Sequence, residues 1–251
     1  MIRVAETVDN GFLDGRVRIL QPREGYRAAT DPVLLAAAAP AKAGAAVLDV
    51  GCGVGTAALC LGHRVEGARL HGLEIQPDYA ELARENAARC GLAFEVHCGD
   101  AVAMPDPLRQ MSFDLVMTNP PWHDAPSVAS ADLARDTANR MARLSLADWI
   151  AAALARLKSG GWFVIIQRAK ALPQILAALE QKTGDIAVLP LQPRADREAG
   201  RVIVKARKSS AGPFRLAAPL VLHSGPAHVR DGDDYSTAAR AILRDGAALA
   251  F

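Results

Sequence analysis

The sequence predicts an α/β protein: a seven-stranded, mostly parallel sheet with helices on both faces, ending in an antiparallel hairpin. Three observations predict it. Between residues 45 and 166, short apolar runs alternate with helical stretches, the pattern of repeated β-α-β units with right-handed crossovers. A glycine-rich turn follows the first of those runs directly. After residue 180 the pattern becomes strand, polar loop, strand, which reads as a hairpin closing the sheet edge.

The elements follow in order. Gly15 to Gln21 alternates polar and apolar residues, as a short strand or hairpin arm does. Asp31 followed by Pro32 reads as an N-cap and first helical position for the Ala/Leu-rich run from Val33 to Ala39, and Pro40 and Gly44 end that helix. Ala46 to Val50 is the first buried strand, and Thr56 to Leu61 opens a helix. Arg69 to Glu74 is a strand, Asp78 to Cys90 an amphipathic helix stopped by Gly91, and Phe94 to Cys98 a strand. Phe113 to Thr118 and Trp162 to Ile166 are strands around a helix at Leu146 to Leu157. Leu172 to Gln181 (helix), Ile186 to Leu191 and Val202 to Ala206 (strands) complete the series. Pro219 to His223 is a candidate edge strand and Tyr235 to Arg244 a helix. No internal repeat or low-complexity linker divides the chain. A short extension over 1–44 followed by one compact domain over 45–251 is the economical organisation.

Composition sets bounds. With 251 residues, 51% apolar and 22% charged, the chain has the make-up of a globular protein with a full core. No apolar run is long enough to cross a membrane. Acidic Glu6 and Asp9 near Met1 argue against a signal peptide, so a cytoplasmic location is expected. Cys52, Cys60, Cys90 and Cys98 form no C-x-x-C pair and have no histidine at ligand spacing. Reduced, partly buried thiols are expected, and no metal site. The net charge of +2 leaves any nucleic-acid affinity to local clusters.

The loop Asp49-Val50-Gly51-Cys52-Gly53-Val54-Gly55 sits where a backbone can approach a ligand closely. Its G-x-G-x-G spacing differs from the dinucleotide fingerprint, and Asp49 would repel a pyrophosphate. That carboxylate suits a ligand with a positive centre. Glu74 ends the second strand, where a carboxylate accepts ribose hydroxyls, and Asp100 follows the third, within reach of an adenine amine. Either could instead cap a helix, but strand-end positions in consecutive units favour a site. An adenosine with a cationic tail and no phosphate is S-adenosylmethionine.

Thr118-Asn119-Pro120-Pro121-Trp122 ends the fourth strand. Two prolines stiffen the backbone and leave carbonyls free to accept. Asn119 adds an acceptor and Trp122 a flat apolar face. Asn119 and the Pro120 carbonyl suit the two N–H bonds of a planar conjugated amine, such as that of adenine, while Trp122 stacks on its ring. His123 and Asp124 read as loop residues, since the chemistry needs no strong base. Basic residues cluster late, at Arg194, Arg197, Arg201, Lys205, Arg207, Lys208 and Arg215, and again at Arg135, Arg140 and Arg143. Both groups are candidate phosphate contacts; an ordinary solvated surface is the alternative. Trp149 and Trp162 read as packing residues.

Taken in order, the glycine loop, Glu74, Asp100 and Asn119-Pro120-Pro121-Trp122 resemble the class I S-adenosylmethionine-dependent methyltransferases, more narrowly the branch acting on amino groups. Gln21 to Ala36 resembles the opening of the bacterial tRNA1(Val) (adenine-37-N6)-methyltransferase family, and the likeness continues through Leu146-Ala147-Asp148-Trp149-Ile150 and Gly160-Gly161. The resemblance implies a Rossmann-like fold and methyl transfer to an adenine N6 in tRNA, with no membrane and no stable protein partner. It implies that Asp49, Gly51, Gly53 and Gly55 line the methionine end of the cofactor. Glu74 would hold the ribose, and Asp100 with Ala101 the adenine. Arg27 and Thr30 would cover the cofactor from the N-terminal extension. Asn119, beside both ligands, would hold the target amine with Pro120 and Pro121, and Trp122 would stack on its base. Relatives often carry Tyr or Phe at that last position, so no phenol role carries over.

Two other readings stay open. A protein glutamine N5-methyltransferase would use the same acceptors on a planar amide, but such enzymes carry a longer helical domain before the glycine loop. A non-catalytic RNA-binding module is argued against by the intact Asn-Pro-Pro-Trp. A DNA adenine methyltransferase would need a target-recognition domain, and none is evident.

Overall fold

The computed structural model describes residues 6–25, 27–121, 145–225 and 234–251. Two strands, β1 (Thr7–Phe12) and β2 (Val17–Pro22), form a separate antiparallel hairpin. Leu13, Asp14 and Gly15 turn it with positive φ angles. Helix α1 (Thr30–Ala38) follows, and then the alternating core: β3 (Ala46–Val50), α2 (Thr56–Arg64), β4 (Arg69–Glu74), α3 (Pro77–Arg89), β5 (Phe94–Cys98), α4 (Asp106–Gln110) and β6 (Phe113–Thr118). The chain continues with α5 (Leu146–Ala155), β7 (Leu157–Arg168), α6 (Leu172–Leu179), β8 (Thr183–Gln192) and β9 (Arg201–Lys208). Short β10 (Arg215–Leu216), β11 (Leu220–Val221) and α7 (Thr237–Leu243) end it.

The main sheet has the order β10-β8-β9-β7-β6-β3-β4-β5, with β11 also pairing with β8. It therefore has nine strands: the seven expected and two of two residues each. Strands β3 to β7 run parallel, whereas β9 lies antiparallel between β7 and β8. The strand order reverses at β3. The chain runs outward through β4 and β5, then returns to lay β6 and β7 on the other side. Ligands of open α/β sheets bind in the crevice that opens at the carboxyl ends of the strands at such a switch point.

All five residues of β3 are buried, as a central parallel strand covered on both faces requires. One face packs Leu115, Met117, Val164 and Ile166 against helices α1 to α3, through residues such as Leu34, Leu59 and Ala83. The other packs Leu48, Val116, Phe163 and Ile165 against α5 and α6, through Ile150, Leu154, Ile175 and Leu179. The hairpin is tied to this body by Asn86 of α3, which is fully buried. Its amide oxygen accepts from Leu20 N at 2.7 Å, and its amide nitrogen donates to the Leu20 and Val54 carbonyls at 3.0 Å each. Leu20 lies on β2 and Val54 in the glycine loop, so one side chain joins the two.

Two expectations need correction. Asp31 does not cap α1: the helix begins at Thr30, Ala29 stands at the cap without a side-chain bond, and Asp31 pairs with Arg201 at 3.0 Å instead. Strand β7 starts at Leu157, before the expected Trp162, because pairing with β6 begins at Phe113–Leu157 and resumes past an irregularity at Leu115–Trp162. Of the thiols, Cys52 and Cys60 are buried and Cys98 is exposed; all four are free.

Candidate active site

A cavity of about 520 Å³ opens at the switch point. Asp49 at the end of β3, Gly51, Gly53 and Glu74 line it, as do Asp100, Ala101, Asn119, Pro120 and Pro121. The structure thus brings together residues from the ends of β3, β4, β5 and β6. Trp122, Arg135, Arg140 and Arg143 lie outside the described residues.

Three of the expected contacts are not among the lining residues. Gly55 stands at the N-cap of α2 with φ 88° and packs against Phe94. Arg27 is exposed and donates to Asn10 Oδ1 at 3.1 Å, and Thr30 opens α1. The N-terminal extension reaches the cavity through Ala28, Asp31 and Pro32 instead. Gln21, buried on β2, holds that segment by accepting from Ala28 N at 2.6 Å and donating to Ala28 O at 3.2 Å.

Asp49 is 2% exposed, and its Oδ2 has no hydrogen-bond partner. Burial pushes its carboxyl up to about 7. The Ala58 N–H works against that rise, and the charge of Glu74 adds to it. Glu74 accepts from Gly53 N at 2.9 Å through Oε2 and from Gln76 N at 2.8 Å through Oε1. Burial raises its carboxyl too, against those backbone donors. Each carboxylate oxygen keeps a second acceptor direction.

The loop after β6 is fixed from below. Thr118 Oγ1 donates to Val50 O at 2.7 Å and accepts from Trp149 Nε1 at 2.9 Å, all buried. Trp149 of α5 lies against Gly51, whose φ is 73°; a β-carbon there would stand 2.9 Å from the indole ring. One indole therefore braces both the glycine loop and the strand that ends in Asn119. Gln167, 4% exposed at the end of β7, donates to the Pro120 carbonyl at 2.8 Å. Gln76, Tyr79 and Gln167 also line the cavity and carry no motif that marks them in the sequence, and Arg201 of the late basic cluster lines it too.

The late basic cluster is corrected residue by residue. Arg194 is buried; it pairs with Asp234 at 2.7 Å and donates to the Ser224 and Gly225 carbonyls. Lys205 is also buried, with its Nζ 4.1 Å from the centre of the Phe251 ring. Lys208 Nζ donates to the Leu154 and Leu157 carbonyls at 2.7 Å each, closing the end of α5. These three are committed to the fold. Arg197 is exposed, with Asp196 at 3.9 Å, and Arg207 is exposed with its Nε on the Gly160 carbonyl.

A switch-point cavity lined by a glycine turn and by strand-end Asp49, Glu74 and Asn119, on a sheet closed by an antiparallel β9, defines a class I methyltransferase. Residues 29–190 match the model of the methyltransferase small domain, and the chain belongs to that family. Among its relatives is a tRNA1(Val) (adenine(37)-N6)-methyltransferase of Erwinia tasmaniensis, 31% identical over 69% of this chain and 71% of that one. A protein of the same name from Yersinia enterocolitica is 35% identical over 51% of each chain, so the chain spans about half the length of that relative. A solved structure from Agrobacterium tumefaciens, described as a predicted O-methyltransferase, superposes with a TM-score of 0.71 at 25% identity, covering 88% of this chain and 99% of the other. Proteins of this class take their methyl group from S-adenosylmethionine. Among the described residues no helix is long and apolar enough to cross a membrane.

Proposed function

We propose that the chain transfers a methyl group from S-adenosylmethionine to the N6 amine of an adenine in tRNA, the adenine at position 37 of tRNA1(Val) being the target its relatives' names point to. The observation that carries the reading is that the Asn119-Pro120 pair lines the same cavity as Asp49 and Glu74.

The cavity has the size of a cofactor site, which runs roughly 300–1,000 Å³. An orphaned, buried Asp49 oxygen fits a cationic group, and the spare acceptor directions of Glu74 fit a diol. Asp49, Gly51 and Gly53 would hold the methionine end, Glu74 the ribose, and Asp100 with Ala101 the adenine. Ala28, Asp31 and Pro32 would close the site from the N-terminal extension. Bound there, S-adenosylmethionine supplies an electrophilic methyl group on a cationic sulfur. Asn119 Oδ1 and the Pro120 carbonyl accept from the target amine and orient its lone pair. Positioning of this kind is most of what the step needs, because the sulfonium is a good leaving group. Trp122 would stack on the base, worth about 1–3 kcal/mol. Arg197, in the loop that leads into β9 at the cavity end of the sheet, with Arg135, Arg140 and Arg143, are the candidate phosphate contacts; Arg207 sits at the opposite end of β7, beside Trp162.

The carbonyl of Pro120 has two acceptor directions, and Gln167 takes one of them. That bond fixes where the other points. Gln167→Ala should lower kcat about tenfold, the effect of ~1.4 kcal/mol, with the KM for S-adenosylmethionine unchanged. An unaltered kcat would mean that the two prolines alone set the carbonyl.

The test of the function is methyl transfer to bulk tRNA lacking its native modifications, followed by nucleoside analysis. N6-methyladenosine is the expected product. With a release factor offered as a parallel substrate, label in its glutamine and none in tRNA would give the protein-methylating reading instead, and 2′-O-methylated nucleosides would point to hydroxyl chemistry.

A further inference from the structure

We propose that His71, Glu95 and His97, none of which lines the cofactor cavity, bind one divalent transition-metal ion, with zinc the best fit, at the edge of the sheet. Strands β4 and β5 pair in parallel with His71 opposite Glu95 and Leu73 opposite His97, so all three side chains leave one face. Glu95 Oε2 lies 3.4 Å from His71 Nδ1, and Glu95 Oε1 lies 3.3 Å from His97 Nε2. One ligand atom from each residue falls within 4.8 Å of the others. Ligands at about 2.0–2.1 Å from a tetrahedral zinc stand roughly 3.3 Å apart; each ring nitrogen already lies near that distance from one oxygen of the Glu95 carboxylate, and a small turn of that exposed group brings a single oxygen between them.

The two ring nitrogens carry the argument further. Neither has a hydrogen-bond partner, and both are closed to solvent. Buried polar atoms in that state are costly, and coordination by the lone pairs would relieve both at once. The rings are held in place: His71 and His97 stack with centroids 6.1 Å apart, and His71 meets Phe113 edge-on at 5.4 Å. The alternative is two imidazolium rings sharing one carboxylate. Coordination requires both rings in their neutral form. A donor set of two nitrogens and one oxygen suits zinc or cobalt and not magnesium or calcium. Glu95 is largely exposed, which leaves an entry path and an open fourth position for water. Strand β5 ends the sheet order, with β4 as its neighbour. A metal bridging the two would staple the strand that leads into Gly99 and Asp100. No spacing rule marks this set in the sequence, because its members come from different strands.

The full chain, treated with chelator and then freed of it, is titrated with Co²⁺ and followed by visible absorption. The expected result is one Co²⁺ per chain, with ligand-field bands that one equivalent of Zn²⁺ abolishes. Glu95→Gln, on an exposed side chain that does not burden the fold, should weaken binding about tenfold or more, and His97→Gln by more again. Cys98→Ser, which removes the exposed thiol, should change nothing. Circular dichroism checks that the histidine variant is folded; if it is not, Glu95→Gln decides alone. No saturable binding at micromolar metal, or wild-type binding in the Glu95 variant, overturns the proposal.

Discussion

Asn119→Ala is expected to slow methyl transfer about 100- to 1,000-fold, the scale of losing one preorganised polar contact to the reacting centre. The affinity for S-adenosylmethionine should stay within a few-fold. The reason for the separation lies one residue earlier. Thr118 is clamped between the Val50 carbonyl and the Trp149 indole, so the backbone that presents residue 119 does not depend on the side chain at 119. Pro120, held by Gln167, stays as well. What is lost is one acceptor for the amine, and with it the direction of the lone pair. Single-turnover rates on tRNA, set beside calorimetric titration of the cofactor, make the comparison. An equal loss in both would place Asn119 among the cofactor contacts and not at the target amine.

Asp49→Asn should have two opposed effects, both arising from burial. In the folded chain the carboxyl titrates near 7, whereas its ordinary value is 3.8. Between those values the unfolded chain has lost the proton and the folded chain keeps it. The stability contribution of Asp49 therefore falls as pH rises through that window, by at most about 1.4 kcal/mol per pH unit, and levels off above it. Asparagine has no such titration. The variant should unfold at a higher temperature than the parent at pH 8, with a flatter pH dependence between pH 4 and 7. Cofactor binding should go the other way. The ionised carboxylate is what a cationic ligand meets, so the parent's affinity should fall as pH drops below 7, by up to about tenfold per unit. In the variant affinity should be weaker by about tenfold or more, ~1.4 kcal/mol, and should lose that dependence. Thermal scans across pH 4 to 8.5 and calorimetry across pH 6 to 8.5 read both. Parental affinity in the variant would remove Asp49 from the cofactor site.

Strands β3 to β6 can be read almost to the residue, because each is a short run bounded by glycines and polar residues, wholly or almost wholly buried in β3 and β6 and alternating in β5. Strand β7 cannot. Lys158-Ser159-Gly160-Gly161 has the composition of a turn, yet it lies within the strand, in the irregularity between the Phe113–Leu157 and Leu115–Trp162 pairs. Helix α4 lies in a Pro-rich stretch without helical periodicity. In the site, Asp49, Glu74, Asp100 and Asn119 are legible because they end strands in successive β-α units. Gln167 is not, and Arg201 is legible only as one of a basic cluster and not as a cavity residue paired with Asp31, since both places depend on which strand ends the sheet brings side by side. The basic cluster misleads for the same reason: Arg194 looks like its neighbours until Asp234, forty residues on, is seen against it.

The insertion of β9 between β7 and β8 has a consequence for synthesis. As the chain emerges from the ribosome, β7 completes the parallel part of the sheet but leaves its outer edge unpaired. Strand β8 does not cover that edge when it appears, because its partner in the sheet is β9. The edge stays open until residue 208 has been made. An unpaired strand edge is a template for other chains. The nascent protein is therefore most vulnerable to association late in translation, when most of its core already exists. Chains stalled or cut between residues 170 and 200 should be far less soluble than the finished protein.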